Sequence, residues 1–388
     1  MPTTMMKNIL YHLALPLAAV KPDITAPVRV SGHPITHLTD YRRLLNRHHV
    51  LGSAALLSDG QSTAILLRDN SKPPRSILPD SFFRVASITK MATALASLAT
   101  AERGLLDPEA PIRVLLEPFL SAGEKTSLPD SITMTRLLSH TSGIADPPGM
   151  DSALLRGDPF TALLPAALRG TPGTFRYSNF GFGLLGCLLE AVWKQPIPEI
   201  LDQLVFSPLK MRATLNASSL PPESIVPISR VLPYDPAAQV SVTPLGAIPL
   251  TSCDPLRHYG HTAGAMYTDI RSLERMLRCL MVSGSPLLKH PLGSDMCRVH
   301  ATYGPASPRL SYGLGLLIIQ DPSLSSHRIL GHQGFAYGCV DGAFWEEDTG
   351  RSLIFLNGGA SEYRRHGRLG WVNEQMLAWA FGKELPSW

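Results

Sequence analysis

Residues 84–99, RVASITKMATALASLA, set a serine and a lysine three places apart in a stretch that is otherwise apolar and rich in alanine. Arg84 and Lys90 are its only charges. Alanine favours helix, and the run continues to Arg103 before Gly104 supplies a stop, so a helix is expected over residues 87–103. On a helix, side chains at i and i+3 share a face with Cβ atoms about 5–6 Å apart. That spacing lets the Lys90 ammonium approach the Ser87 hydroxyl. A serine hydroxyl is a weak nucleophile until a base takes its proton. A lysine serves as that base when desolvation disfavours its charged form, and Ile88, Met91 and Ala92 are the apolar neighbours this requires. The pattern is short, however, and an incidental lysine on a surface helix is spelled the same way.

Two segments further along change its weight. Residues 173–186, GTFRYSNFGFGLLG, contain Tyr177-Ser178-Asn179, and residues 330–338, LGHQGFAYG, contain His332-Gln333-Gly334. Ser-x-x-Lys, then Tyr-x-Asn, then a basic residue-x-Gly, in that order, resembles the serine β-lactamase and penicillin-recognising enzyme family. The likeness is strongest to its class C and DD-peptidase branch, which also holds esterases, D-aminopeptidases and transacylases. Supporting phrases such as SFFRVASITKMATALASLATAERGLLDPEAPI (81–112), MTRLLSHTSGI (134–144) and SYGLGL (311–316) extend it over roughly residues 50 to 360.

The resemblance implies a role for each motif residue. Ser87 is the nucleophile that forms an acyl-enzyme, and Lys90 is its immediate proton acceptor. Tyr177 shuttles protons to the leaving group and helps to activate water. Because base duty in this superfamily is disputed, Lys90 and Tyr177 are read as one coupled unit. Asn179 is expected to hydrogen-bond Lys90 and the substrate. The strand of His332 and Gly334 is expected to pair with the substrate backbone, and the amides of Ser87 and Phe335 to form the oxyanion hole, whose donors are each worth roughly 10²–10³ in rate. His332 stands where lactamases usually place lysine. Histidine has a reference pKa of about 6.5, so this departure weighs against a dedicated β-lactamase.

The implied fold is β-lactamase-like, α/β plus all-α, with an antiparallel sheet built from both chain ends, flanking helices and an inserted helical domain. The pattern of the chain agrees with that. Residues 39–47 read as a helix capped by Thr39. Residues 52–69 hold two apolar runs around Asp59-Gly60, a hairpin signal. Four strand-like segments lie in 311–320, 327–335, 338–348 and 351–359, and a last helix in 369–382. Residues 87–285 are mainly helical and carry the first two motifs. The expected division is therefore a sheet domain of 1–86 with 286–388, a helical region of 87–285, and a site in the cleft between.

Composition narrows the function class. Of 388 residues, 44% are hydrophobic and 17% charged, and 35 basic against 31 acidic residues leave a formal charge of +4. There is no run of five like charges and no basic stripe with interleaved aromatics, which argues against nucleic acid as a partner. No apolar run reaches the roughly 18 residues of a transmembrane span. Residues 6–20 carry one lysine before about a dozen mostly apolar residues, a weak signal-peptide pattern that His12 and Pro16 interrupt. Five widely spaced cysteines point to free thiols and a cytoplasmic chain.

Rival motifs are weaker. GFGLLG (181–186) matches G-x-G-x-x-G but follows no strand, so its glycines are read as helix packing rather than nucleotide binding. Ser142 lacks the first glycine of a G-x-S-x-G elbow, and Ser139, His140 and Thr141 are read as structural. His258 with His261, and Cys297 with His300, suggest no third metal ligand. His48 and His49 are read as solvated. Tyr312 and Tyr337 are read as pocket or core. No cofactor or metal is implied. The expected activity is cleavage of amide or ester bonds in a small-molecule or short-peptide substrate. A D-residue-specific peptidase or amidase of DD-peptidase type ranks first. An esterase or a transacylase or cyclising thioesterase follows, then a β-lactamase, and last a non-catalytic penicillin-binding-like sensor. Oligomeric state is not legible.

Overall fold

The computed structural model describes residues 23–382 except 36, 72–75, 126, 228–244, 246, 247, 282–286, 289–291, 337 and 361–368. The N-terminal apolar stretch and Tyr337 lie outside the described residues. Both chain ends feed one nine-stranded antiparallel sheet. Its N-terminal strands are β1 (Arg29–Gly32), β2 (Gly52–Ser58) and β3 (Thr63–Asp69). A separate short sheet joins β4 (Phe83–Arg84), β5 (Ala213–Thr214) and β6 (Tyr267–Thr268). The C-terminal strands are β7 (Ala301–Thr302), β8 (Leu310–Tyr312), β9 (Leu317–Ile319), β10 (Ile329–Ala336), β11 (Cys339–Glu346) and β12 (Ser352–Gly358). The order β1-β3-β2-β12-β11-β10-β9-β8-β7 puts the N-terminal strand β2 beside the last strand, β12.

The β2–β3 connection is the expected hairpin: Asp59 Oδ1 accepts from the Gln61 and Ser62 amides at 2.8 and 2.6 Å. Every residue of β2 is buried, because the sheet is covered on both faces. Strand alternation then divides its side chains between two cores. Ala54 and Leu56 belong to one, Ala55 and Leu57 to the other.

Five helices of ten residues or more cover the described sheet and cleft: α1 (Leu38–Arg47), α2 (Thr89–Glu102), α3 (Asn179–Trp193), α4 (Ile270–Met281) and α5 (Trp371–Phe381). α1 and α5 pack together on one sheet face, through Tyr41, Leu44 and Leu45 against Met376 and Leu377. α4 packs on the other face, over β2, β11 and β12, and continues into the core of α2 and α3.

Three local expectations fail. Thr39 is no cap, since α1 starts one residue earlier, after His37, with no side-chain cap bond. His48 is not solvated: it is buried between α1 and α5, with Nε2 2.7 Å from Gln375 Oε1 and its ring edge-on to Trp371. The segment 311–320 is two strands rather than one, because Gly313 and Gly315 interrupt it. Gly315 has φ +75° and presses on α2, where a Cβ would sit 2.4 Å from Ala94 Cβ. The five cysteines are free thiols. Among the described residues no helix is long and apolar enough to cross a membrane.

Candidate active site

Ser87 lies in a 3₁₀ turn, Ala86–Ile88, that precedes α2 rather than in α2 itself. Ala86 has φ +44°, a left-handed conformation that costs a non-glycine residue about 1–2 kcal/mol. The surroundings hold it there. The Thr89 hydroxyl donates to Ala86 O at 2.6 Å and accepts from the Met266 amide at 3.1 Å, while Val85 N donates to Met266 O at 3.0 Å. β10 closes from the other side. A Cβ on Gly334 would lie 2.4 Å from Val85 O, so only glycine lets the third motif approach the serine turn this closely.

Lys90 is fully buried one turn below Ser87. Its Nζ donates to Ser87 Oγ at 3.1 Å, Asn179 Oδ1 at 2.8 Å and Ala263 O at 2.6 Å. Three acceptors match the three N–H bonds of an ammonium. Without one proton, two N–H bonds still serve Asn179 and Ala263 while a lone pair faces Ser87. Lys90 also lies over the rings of Tyr177 and Phe182, at 5.0 and 5.5 Å from their centroids. The Tyr177 hydroxyl donates to Ser87 Oγ at 2.9 Å. Ser87, Lys90, Tyr177 and Asn179 thus meet within hydrogen-bond distance, although 89 residues separate Lys90 from Asn179.

The Tyr-x-Asn motif owes its geometry to a helix start. Ser178 is the N-cap of α3, its Oγ accepting from Gly181 N at 2.9 Å. The same Oγ donates to Asp146 Oδ1 at 2.9 Å. Asp146 Oδ1 also accepts from Phe180 N at 2.8 Å, and its Oδ2 from Asn179 Nδ2 at 3.0 Å. This carboxylate fixes which way the Asn179 amide faces and presents its oxygen to Lys90. It also sits at the positive end of α3. Further along, a Cβ on Gly183 would fall 1.6 Å from Tyr259 O and one on Gly186 2.8 Å or less from Thr262 side-chain atoms. The glycines of GFGLLG therefore seat α3 against the 259–263 segment that delivers the Ala263 carbonyl.

His140 supports the same helix start. Its Nδ1 accepts from Ser178 N at 3.2 Å and its ring lies 4.3 Å from that of Tyr177. Burial, with Lys90 and His332 nearby, pushes its pKa well below the usual value, so it is a neutral imidazole protonated on Nε2.

His332 forms the opposite wall. It is buried, with Nδ1 2.7 Å from Gln333 O and Nε2 2.8 Å from the Tyr312 hydroxyl. Burial, helped by the positive Lys90, pushes it down to about 3. Burial also holds Tyr312 well above the ordinary phenol value, so it keeps its proton. The assignment follows: Nδ1–H donates to the Gln333 carbonyl and Nε2 accepts from Tyr312. Gln333 Oε1 in turn accepts from Gly370 N and Asn373 Nδ2 at 3.2 and 3.0 Å.

These walls enclose a cavity of about 820 Å³, whose lining includes Ser87, Tyr177, Asn179, His332 and Phe335 together with Asp146, Met150, Asp151 and Tyr303. Sequence reading missed Asp146, the Ala263 carbonyl and the Tyr312–His332 bond. The spaced His and Cys pairs go elsewhere: His258 Nδ1 meets the buried Glu190 carboxylate at 2.8 Å, and His300 Nε2 meets Asp295 O at 3.1 Å. Among the described residues no cluster of three or more His, Cys, Asp or Glu side chains could hold a metal.

Comparison with known proteins agrees with the fold. A family model described as Beta-lactamase matches residues 39–356. The chain is 31% identical over 176 residues to esterase EstB of Burkholderia gladioli, covering 41% of this chain and 44% of that protein. It is 29% identical over 193 residues to penicillin-binding protein 4 of Amycolatopsis lactamdurans, covering 47% and 48%. The matched region thus spans less than half the length of either relative. A solved D-stereospecific amidohydrolase from Streptomyces sp. superposes with a TM-score of 0.62 at 23% identity, covering 88% of this chain and 98% of that one, a likeness of fold.

Proposed function

The chain belongs to the beta-lactamase family, and on that premise we propose that it is a serine hydrolase working through an acyl-enzyme on Ser87. The observation that carries the reading is the double contact on Ser87 Oγ, with Lys90 Nζ at 3.1 Å and the Tyr177 hydroxyl at 2.9 Å. The bonds cleaved are amides or esters, with a D-configured residue on the acyl side as the first candidate.

In the proposed cycle the Ser87 proton passes into the Lys90–Tyr177 unit as Oγ attacks the substrate carbonyl. The tetrahedral oxyanion is held by the amides of Ser87 and Phe335. The first turn of a 3₁₀ or α helix leaves its early N–H groups without intrahelical acceptors, which suits Ser87 for this role. The C–N or C–O bond breaks, and the leaving group takes its proton from the Tyr177 side. Water then attacks the acyl-enzyme, giving one proton to the same unit and returning Ser87 to its hydroxyl form. Asn179 and Ala263 O keep Lys90 in place throughout.

An ester substrate is the second reading, favoured by the alignment with an esterase at 31% identity. The test is intact mass after incubation with a fluorophosphonate and, separately, with a penicillin. A single adduct on the wild type and none on Ser87→Ala is expected. Full activity retained by Ser87→Ala would sink the proposal. A slowly released penicillin adduct favours a carboxyl-terminal D-residue substrate, and a fluorophosphonate adduct alone favours a D-residue amide or an ester.

A further inference from the structure

The third motif usually meets the substrate with a charge, and here it has none to offer. Neutral His332 has one N–H, which is spent on the Gln333 carbonyl, and one lone pair, which is spent on Tyr312. No ring atom capable of hydrogen bonding remains for a ligand. Tyr312 is itself fully buried and reaches His332 from β8, two strands away from β10 in the sheet. The titratable groups around the ring are Lys90 from α2, Tyr177 and His140 from the α3 entrance, and Tyr312. Lys90 has all three of its N–H bonds placed on Ser87, Asn179 and Ala263.

The remaining charged groups on the described cavity lining are Arg84, Asp146 and Asp151. Arg84 is buried and donates through Nη2 to Gly264 O at 3.0 Å. The two carboxylates are exposed. A carboxylate entering this cleft beside His332 would find no hydrogen bond from that ring and would share the lining with two like charges. Burying an anion without a charged or hydrogen-bonding partner is strongly unfavourable.

We propose that Tyr312 is a positioning residue that sets specificity: by occupying His332 Nε2 it leaves the ring no hydrogen bond to give a ligand, so the enzyme acts on amides or esters whose leaving group bears no carboxylate. This rests on the acyl-enzyme reading above and deepens it. Carboxyl-terminal D-residues and penicillins become poor substrates, while D-residue amides and simple esters fit. Gln333, with its amide oxygen tied to Gly370 and Asn373, contributes at most a neutral donor.

The test uses two probes that share a butyryl group and differ in one charge, 3-(butyryloxy)benzoate and its methyl ester. Wild type should hydrolyse the methyl ester with a kcat/KM at least about tenfold higher at pH 7.5, the scale of one charge-assisted hydrogen bond forgone. Tyr312→Phe frees His332 Nε2 to take up a proton against a bound carboxylate, so the preference should shrink, and shrink more at pH 5 than at pH 7.5. His332→Lys should reverse it. Loss of a packing contact alone would lower both rates together and leave the ratio unmoved. A wild-type ratio near one, or one favouring the acid, overturns the inference while hydrolysis remains dependent on Ser87. Hydrolysis of both probes undiminished in Ser87→Ala overturns the acyl-enzyme reading instead.

Discussion

Lys90 and His332 face one cleft from opposite walls, both are sealed from water, and they are treated in opposite ways. Lys90 has three oxygen acceptors converging on Nζ, so the protein can hold it as an ammonium or spare one proton. His332 has two partners, the Gln333 carbonyl and the Tyr312 hydroxyl, and burial keeps its ring neutral. Burial penalises charge on both walls. What separates them is the count and polarity of partners. In the proposed cycle the Lys90 wall stores an exchangeable proton, and the His332 wall is fixed.

The strongest way to break that comparison is to remove the reactive side. Lys90→Ala leaves Asn179 Oδ1 and Ala263 O without their donor and Ser87 with Tyr177 alone. A fall in kcat/KM of about 10³–10⁴-fold is expected, at the upper range for a proton-transfer group, read with the fluorophosphonate labelling rate as a second measure. Retention of a tenth of the activity would show that Tyr177 suffices. Next comes the contact that joins the walls. Gly334→Ala places a methyl where Val85 O lies 2.4 Å away, so β10 and the serine turn must separate. Activity should drop about 10²-fold, the effect of a misplacement near 1 Å, while the protein stays folded.

The neutral wall can be sharpened by pH. In the unfolded chain histidines titrate near 6.5, whereas burial pushes His332 down to about 3 and His261 down to about 4. Between those limits the unfolded state binds more protons, so stability rises with pH and is lost on acidification. Each of these two histidines should cost about 2 kcal/mol by pH 5, seen as a falling urea midpoint from pH 7.5 downwards. A flat profile would contradict a neutral His332. The smallest effect is expected at Asp146→Ala, which takes one acceptor from the α3 N-terminus and unties the Asn179 amide. It should lower stability by about 1–2 kcal/mol with an unchanged urea m-value, and slow turnover more than it raises KM.

The two walls also differ in how much of them the sequence disclosed. Ser87, Lys90, Tyr177 and Asn179 sit at motif spacings, so that wall was largely legible. Asp146 was not, because it reaches α3 across 33 residues of chain through side-chain oxygens that no local pattern announces. The Ala263 carbonyl is backbone and leaves no mark on residue type. His332 was legible as a position but not as a chemical state, since its partner Tyr312 comes from another strand. In the fold, the Asp59-Gly60 hairpin and the sheet drawn from both chain ends followed from turn residues and alternation. His48 was misjudged because its cover, Gln375 and Trp371, arrives from the far end of the chain.

That far-end traffic has a kinetic side. β2 pairs with β12, whose residues lie about 300 positions further along the chain. Loop closure on that scale comes late and slowly in folding, since its entropy must be met before the contacts repay it. Ser87 and Gly334 also meet across 247 positions of the chain, so a growing chain on the ribosome has Ser87 long before it has the candidate site. On the proposed acyl-enzyme, reaction with a fluorophosphonate would count completed molecules, and its time course after dilution from denaturant would be a clock for the final long-range step.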